Sequence, residues 1–150
     1  MPSRARGIAP AAPDLLFVDS SAWIALFSAR DQHHAEADAL FRAALERRVR
    51  LLTTNLVLAE VHRLLLFRAG VQAASAALDR VASSAALTLI FPASEQHDAA
   101  RGWLRRLAER RLSYTDAVSF AIMTASRCRN VLTFDQDFVI AGFHAWGGDA

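Results

Sequence analysis

The stretch at residues 14–21 reads Asp14-Leu15-Leu16-Phe17-Val18-Asp19-Ser20-Ser21. Its run of apolar residues predicts a short strand over 14–18 that is buried on both faces. The aspartate and the two serines that follow can cap a helix, which we expect over 21–28. In open parallel sheets, the loops at the carboxyl ends of the strands line the functional site. This stretch therefore predicts an α/β fold with an acid, Asp19, at its functional edge.

The same alternation of short strands and helices continues along the chain. Apolar, β-forming runs predict further strands at 51–53, 87–91, 131–134 and, at an edge of the sheet, 143–146. Capping residues and apolar spacing predict helices at 31–48, 56–69, 71–83, 94–111, 113–127 and 136–141. In the first of these, the apolar face is expected at Ala35, Ala39, Leu40, Ala43 and Ala44. The pattern indicates a three-layer α/β domain whose short, mostly parallel sheet of four to five strands is covered on both faces.

The composition indicates a single domain. Of the 150 residues, 53% are apolar and 21% are charged, as in soluble globular proteins. We expect a flexible leader at 1–13 and one domain at 14–150. No apolar run reaches the roughly 20 residues of a membrane span, and the leader lacks the apolar core of a secretory signal. We therefore expect a cytoplasmic protein, and its single cysteine, Cys128, excludes an internal disulfide and a multi-cysteine zinc site.

The basic residues are all arginine, although the formal net charge is only +2. This surplus permits contact with nucleic acid but does not by itself indicate it, because arginine also serves on solvated surfaces. Five arginines are predicted on the helix at 94–111, and they are Arg101, Arg105, Arg106, Arg110 and Arg111. They form either a solvated face or a track for an RNA backbone, whose binding would weaken with salt.

Acidic residues interrupt apolar segments at four places, and these are Asp19, Glu60, Asp116 and Asp135. A buried carboxylate costs several kcal/mol (about 3–5 when unpaired) unless a cation or hydrogen bonds compensate for it. Helix capping could explain each of the three aspartates, and an arginine such as Arg63 or Arg68 could pair with Glu60. One divalent cation explains all four acids together. Oxygen ligands suit Mg²⁺, and Mn²⁺ would bind the same set.

Four segments together resemble the PIN domain family, and most specifically its VapC-type toxin ribonucleases. They are Phe17-Val18-Asp19-Ser20-Ser21-Ala22-Trp23-Ile24-Ala25-Leu26, Thr54-Asn55-Leu56-Val57-Leu58-Ala59-Glu60-Val61, Leu112-Ser113-Tyr114-Thr115-Asp116-Ala117 and Val131-Leu132-Thr133-Phe134-Asp135-Gln136-Asp137-Phe138. The resemblance implies a PIN-like fold and an acidic quartet, Asp19, Glu60, Asp116 and Asp135, which holds one or two Mg²⁺ or Mn²⁺ ions for hydrolysis of RNA phosphodiester bonds. It implies accessory roles for Ser21 and Thr133, whose hydroxyls lie near the metal, and for Asp137, as an outer or capping acid.

The resemblance also implies three partners. They are an RNA substrate, a second copy of the chain in a homodimer, and an antitoxin protein that lays a peptide into an apolar groove near the site. The toxin of a VapBC-type toxin–antitoxin pair is therefore the first functional hypothesis. Five apolar residues serve either the core or such an interface, and they are Trp23, Phe27, Leu65, Leu66 and Phe67.

Two alternative functions are distinguishable from this one. A catalytically silent PIN-like module would bind RNA or protein without cutting, but it has no need for four mutually repelling carboxylates. A metal-dependent phosphatase would need an Asp-x-Asp pattern after the first strand, where this chain has Asp19-Ser20-Ser21. The five histidines lack the spacing of a transition-metal site. No nucleophile elbow and no glycine-rich phosphate loop occurs in the sequence.

Overall fold

The computed structural model describes residues 14–147, so the predicted leader lies outside the described residues. The strands are β1 Leu15–Val18, β2 Arg50–Thr54, β3 Leu87–Ile90, β4 Asn130–Leu132 and β5 His144–Ala145. The helices are α1 Ser20–Phe27, α2 His34–Glu46, α3 Asn55–Ala69, α4 Val71–Ala82, α5 Ser94–Arg106, α6 Tyr114–Ala125 and α7 Gln136–Ile140. A 3₁₀ turn at Ala108–Arg110 separates α5 from α6. None of the helices in this part of the chain has the length and apolarity of a membrane span.

The five strands form one parallel sheet in the order β3-β2-β1-β4-β5. Strand β1 lies at its centre, where Leu16, Phe17 and Val18 are fully buried. The chain runs outward from β1 to β2 and β3 on one side and to β4 and β5 on the other, which opens a crevice where the direction reverses. The predicted three-layer α/β fold is confirmed, and all its strands are parallel.

Aromatic side chains join the last helices to the sheet. Phe120 of α6 packs edge-on against Phe138 of α7, with ring centroids 4.9 Å apart, and against Trp103 of α5 at 5.2 Å. Phe120 and Phe138 are fully buried. Because α6 and α7 carry two of the predicted site acids, this aromatic cluster fixes the position of those acids relative to the sheet.

The buried face of α2 differs from the predicted one. Ala37, Phe41 and Ala44 face the core, whereas Ala35 and Ala39 are exposed. Both sets have helical spacing, and the large Phe41 side chain decides between them because it gains most from burial. Its ring packs against Trp23 of α1 at 5.1 Å.

The predicted helix at 94–111 is also shorter than expected. Helix α5 ends at Arg106, and Arg111 adopts a left-handed backbone conformation with φ of 52°. Arg110 and Arg111 therefore do not continue the arginine row of α5. The predicted cover on both faces of the sheet is incomplete at the edge strand β3, where Thr88 and Leu89 are exposed.

Candidate metal centre

Asp19 lies directly after β1, at the centre of the carboxyl edge of the sheet. Its Oδ1 accepts hydrogen bonds from the Ser21 hydroxyl at 2.7 Å and the Ala22 amide at 3.2 Å, and its Oδ2 accepts one from the Thr133 hydroxyl at 2.7 Å. Burial raises the pKa of Asp19 to about 6 although these three donors lower it, and the negative charge of Asp135 raises it further. Capping of α1 therefore accounts for one oxygen of Asp19 but not for its burial.

The hydroxyls of Ser21 and Thr133 connect the ends of β1 and β4. Ser21 Oγ accepts a hydrogen bond from the Phe134 amide at 2.9 Å, and Thr133 Oγ1 accepts one from the Asp135 amide at 2.9 Å. Each hydroxyl also donates to Asp19. The two side chains thus lie beside Asp19, and they hold its carboxylate and the 133–135 backbone in fixed positions.

Three carboxylates converge beside Asp19. Asp116 from α6, Asp135 and Asp137 each have an oxygen within 4.8 Å of the others, and all three side chains are half-buried. Burial raises the pKa of Asp116 to about 7, with further increases from the charges of Asp19, Asp135 and Glu60. Such a cluster favours either protonation or a bound cation.

The side chain of Glu60, on α3, lies in the same electrostatic environment as these carboxylates. Its Oε2 accepts a hydrogen bond of 3.0 Å from the Ser20 hydroxyl, and its charge acts on Asp116. Within residues 14–147 no ion pair joins it to Arg63 or Arg68, so the arginine explanation for Glu60 is wrong. Ser20 was missed from the sequence as its partner, because only the fold brings α1 and α3 together.

Asp137 has a different neighbour from the other acids. The Arg110 guanidinium contacts its Oδ1 through Nη2 at 2.8 Å and Nε at 2.9 Å. The Asp137 amide also donates to Asp135 Oδ1 at 2.9 Å, so Asp135 caps α7. The cluster of three carboxylates within 4.8 Å of one another therefore includes Asp137. It lacks Asp19 and Glu60, which belong to the predicted quartet. The charge of Asp137 is thus already offset by an arginine.

The donor set fits a hard divalent cation. The group consists of carboxylate oxygens, with the hydroxyls of Ser21 and Thr133 beside them. Its carboxylates carry more negative charge than the single positive charge of the paired Arg110 can neutralise. Oxygen-rich sites of this kind select Mg²⁺ or Mn²⁺ over softer metals.

Replacing Arg110 by glutamine is expected to tighten Mn²⁺ binding roughly two- to fivefold, because it removes a partly exposed ion pair and leaves Asp137 uncompensated. Calorimetric titration of the metal-free chain measures this effect. Arg42→Gln is the matched control, since Arg42 pairs with Asp38 on α2. Equal or weaker binding in Arg110→Gln would contradict the expected charge balance.

Comparison with known proteins agrees with the fold. The family model described as PIN domain matches residues 16–143. The chain belongs to the PIN domain family, which confirms the resemblance of its four segments.

The chain also matches individual proteins. The chain is 36% identical over 129 residues to the 23S rRNA-specific endonuclease VapC20 from two strains of Mycobacterium tuberculosis, CDC 1551 / Oshkosh and ATCC 25618 / H37Rv. This match covers 86% of the chain and 95% of the relative. The crystal structure of Mycobacterium tuberculosis VapC20, described as a sarcin–ricin loop cleaving toxin, matches with a TM-score of 0.79 over 86% of this chain and 96% of that one.

Proposed function

We propose that this chain is a Mg²⁺-dependent endoribonuclease of the VapC type that hydrolyses RNA phosphodiester bonds. The observation that carries the proposal is the convergence of Asp116, Asp135 and Asp137 at the carboxyl edge of a PIN fold, in the field of Asp19 and Glu60. The enzyme class rests on the comparisons, since the matching relative is an endonuclease by name.

We assign the metal to the quartet Asp19, Glu60, Asp116 and Asp135, with Asp137 in an outer position. A bound Mg²⁺ or Mn²⁺ would supply positive charge to the phosphoryl oxygens and make a water molecule more acidic. The raised pKa of Asp116 supports this assignment, because a carboxylate that resists ionisation alone gains most from a cation. Cation binding near pH 7 would release the proton that Asp116 otherwise holds.

The remaining site residues act by positioning. Two hydroxyls and one amide hold the Asp19 carboxylate, so its oxygens need no reorganisation when the substrate arrives. Ser20 holds Glu60 in the same way. Such preorganisation lowers the barrier to an attack that builds negative charge on the phosphate.

The RNA substrate is proposed from the relatives. VapC20 is named as specific for 23S rRNA and as a toxin that cleaves the sarcin–ricin loop. At 36% identity over nearly the whole relative, we take the same RNA as the first candidate substrate of this chain.

The antitoxin partner is supported by an apolar groove between α1, α2 and α4. A cavity of about 300 Å³ is lined by Trp23, Phe27, Phe41 and Leu45, and the guanidinium of Arg80 lies 5.1 Å from the Phe27 ring. An apolar peptide side chain with an acidic neighbour would fit this groove. We propose that the antitoxin supplies it, in the cytoplasm.

A homodimer is proposed on a separate surface. Phe67 and Val71, on either side of Gly70, expose 78% and 69% of their areas. Large apolar side chains side by side at a helix junction are suited to contact with a second copy. Sedimentation of the purified chain measures its association state.

Cleavage of purified 23S rRNA by the full chain is expected to require a divalent cation. With Mg²⁺ the RNA should be cut at a few defined positions, and excess EDTA should abolish the products because the carboxylates then lack their counter-charge. Gel analysis of the end-labelled RNA gives the result. Cleavage that persists in EDTA would overturn the metal dependence, and binding without cleavage would support the silent module instead.

A further inference from the structure

A second cavity opens on the same edge of the sheet as the carboxylates. It measures about 300 Å³ and is lined by Asn55, Leu56, Pro92, Ala93, Ser94, His97 and Tyr114. It lies where β2 and β3 end, because Asn55 follows β2 directly and Pro92 follows β3 after one residue. Neighbouring strands are about 4.8 Å apart, so the end of β3 is about 10 Å from that of β1, where Asp19 lies.

Two aromatic rings stand at this cavity in a fixed arrangement. A hydrogen bond of 2.8 Å joins His97 Nδ1 and the Tyr114 hydroxyl, and the ring centroids are 5.7 Å apart with a tilt of 59°. Tyr114 remains 43% exposed, although it begins the helix that carries Asp116 two residues later. Exposed aromatic rings beside a phosphodiesterase site offer stacking surfaces for a base of single-stranded RNA.

The cavity also contains an unsatisfied polar group. Asn55 Oδ1 is out of contact with solvent and has no hydrogen-bond partner among the described residues. A buried acceptor without a partner costs about 1–3 kcal/mol. Because this oxygen is closed to solvent, a base in the cavity reaches it only if the Asn55 side chain turns.

Positive charge leads away from the cavity along α5. His97, Arg101 and Arg105 are spaced four residues apart, which places them on one side of the helix at intervals of about 6 Å. Within the described chain neither arginine forms an ion pair, whereas Arg110 is bound to Asp137. Of the arginines predicted as an RNA track, Arg101 and Arg105 therefore lie in a row that starts at the cavity, and their charges are available for RNA phosphates.

We propose that this cavity binds the base of a nucleotide that flanks the scissile phosphate, with Tyr114 stacking on the base and Arg101 and Arg105 holding the phosphates beyond it. The inference rests on the proposed ribonuclease function and adds to it a site that discriminates between bases. Neither the acidic quartet nor its hydroxyl partners belong to this cavity.

The test measures RNA binding without cleavage. The full chain with Asp116→Asn serves as the parent, in EDTA, and the probes are fluorescein-labelled heptamers of adenylate, cytidylate and uridylate. Tyr114→Ala in this parent is expected to weaken binding of the preferred heptamer about 5- to 100-fold and to reduce the differences between heptamers. Tyr114→Phe should bind within about threefold of the parent, since it keeps the ring.

Two controls separate this site from general effects. His144→Ala removes an exposed ring at the amino end of β5, outside the cavity, and should leave binding unchanged. Arg101→Ala should reduce the slope of log affinity against log salt by about 0.7, whereas Arg48→Ala, before β2 at the opposite edge, should not. The Arg101 readout does not depend on whether the tyrosine variants fold.

The outcomes distinguish the two proposals. Unchanged binding in Tyr114→Ala, or an equal loss in His144→Ala, overturns the base site while the ribonuclease function stands. A parent that binds none of the heptamers at low salt overturns the base site, whereas the cleavage of 23S rRNA tests the ribonuclease function separately. An unchanged salt slope in Arg101→Ala removes the phosphate track.

Discussion

Asp116→Asn is expected to slow the cleavage of 23S rRNA by about 10³-fold at saturating Mg²⁺. Asparagine keeps the shape of the side chain but removes the charge of a carboxylate that has an oxygen within 4.8 Å of oxygens of Asp135 and Asp137. The loss should appear in the rate of the chemical step under single-turnover conditions, because the proposed RNA contacts at Tyr114 and Arg101 do not involve the Asp116 carboxylate.

Asp79→Asn is the matched control for this variant. Asp79 lies exposed on α4, away from the carboxyl edge of the sheet, so its charge does not reach the site. It should cleave RNA at the wild-type rate, and both variants should give the circular dichroism spectrum of the parent. An Asp116→Asn rate within tenfold of wild type would remove Asp116 from the set of metal-binding residues.

Much of this site could be predicted from the sequence because its framework is local. The apolar run at 15–18 determines β1. Asp19 follows β1 directly and Asp135 lies three residues beyond β4, so strand positions alone place both acids at the carboxyl edge. The prediction of Glu60 is less direct, because it rests on an acid that lies among apolar neighbours on α3. Its hydrogen bond with Ser20 is visible only in the fold.

The residues that were missed depend on long-range contacts. Arg110 lies 27 residues from Asp137, and it reaches that carboxylate only because α5 ends early and a 3₁₀ turn follows. The hydrogen bond between His97 of α5 and Tyr114 of α6 also joins two separate helices. Likewise, the alanines of α2 make two faces of this helix similarly apolar, so the sequence does not show which one is buried. The contact of Phe41 with Trp23 decides between them. No spacing rule in one sequence contains these distances.

In EDTA, the free energy of unfolding is expected to fall by about 2–4 kcal/mol between pH 4 and about pH 8 and then to level off. The pKa values of Asp19 and Asp116 are raised from 3.8 to about 6 and about 7, first by burial. In this pH window the folded chain therefore holds more protons than the unfolded chain, so stability decreases as pH rises. Urea unfolding followed by tryptophan fluorescence gives the profile.

Removing the charge of Asp116 and adding Mg²⁺ should each reverse this loss of stability. In EDTA at pH 8, Asp116→Asn is expected to be more stable than wild type by about 1–2 kcal/mol, because one of the mutually repelling carboxylates is gone. Mg²⁺ at 100 times its dissociation constant should stabilise wild type by about 2.7 kcal/mol and the variant by less. Asp79→Asn should follow the wild-type profile. If wild-type stability in EDTA instead rises from pH 5 to pH 8, the carboxylates are compensated by the protein itself, and a cation is not what relieves their repulsion.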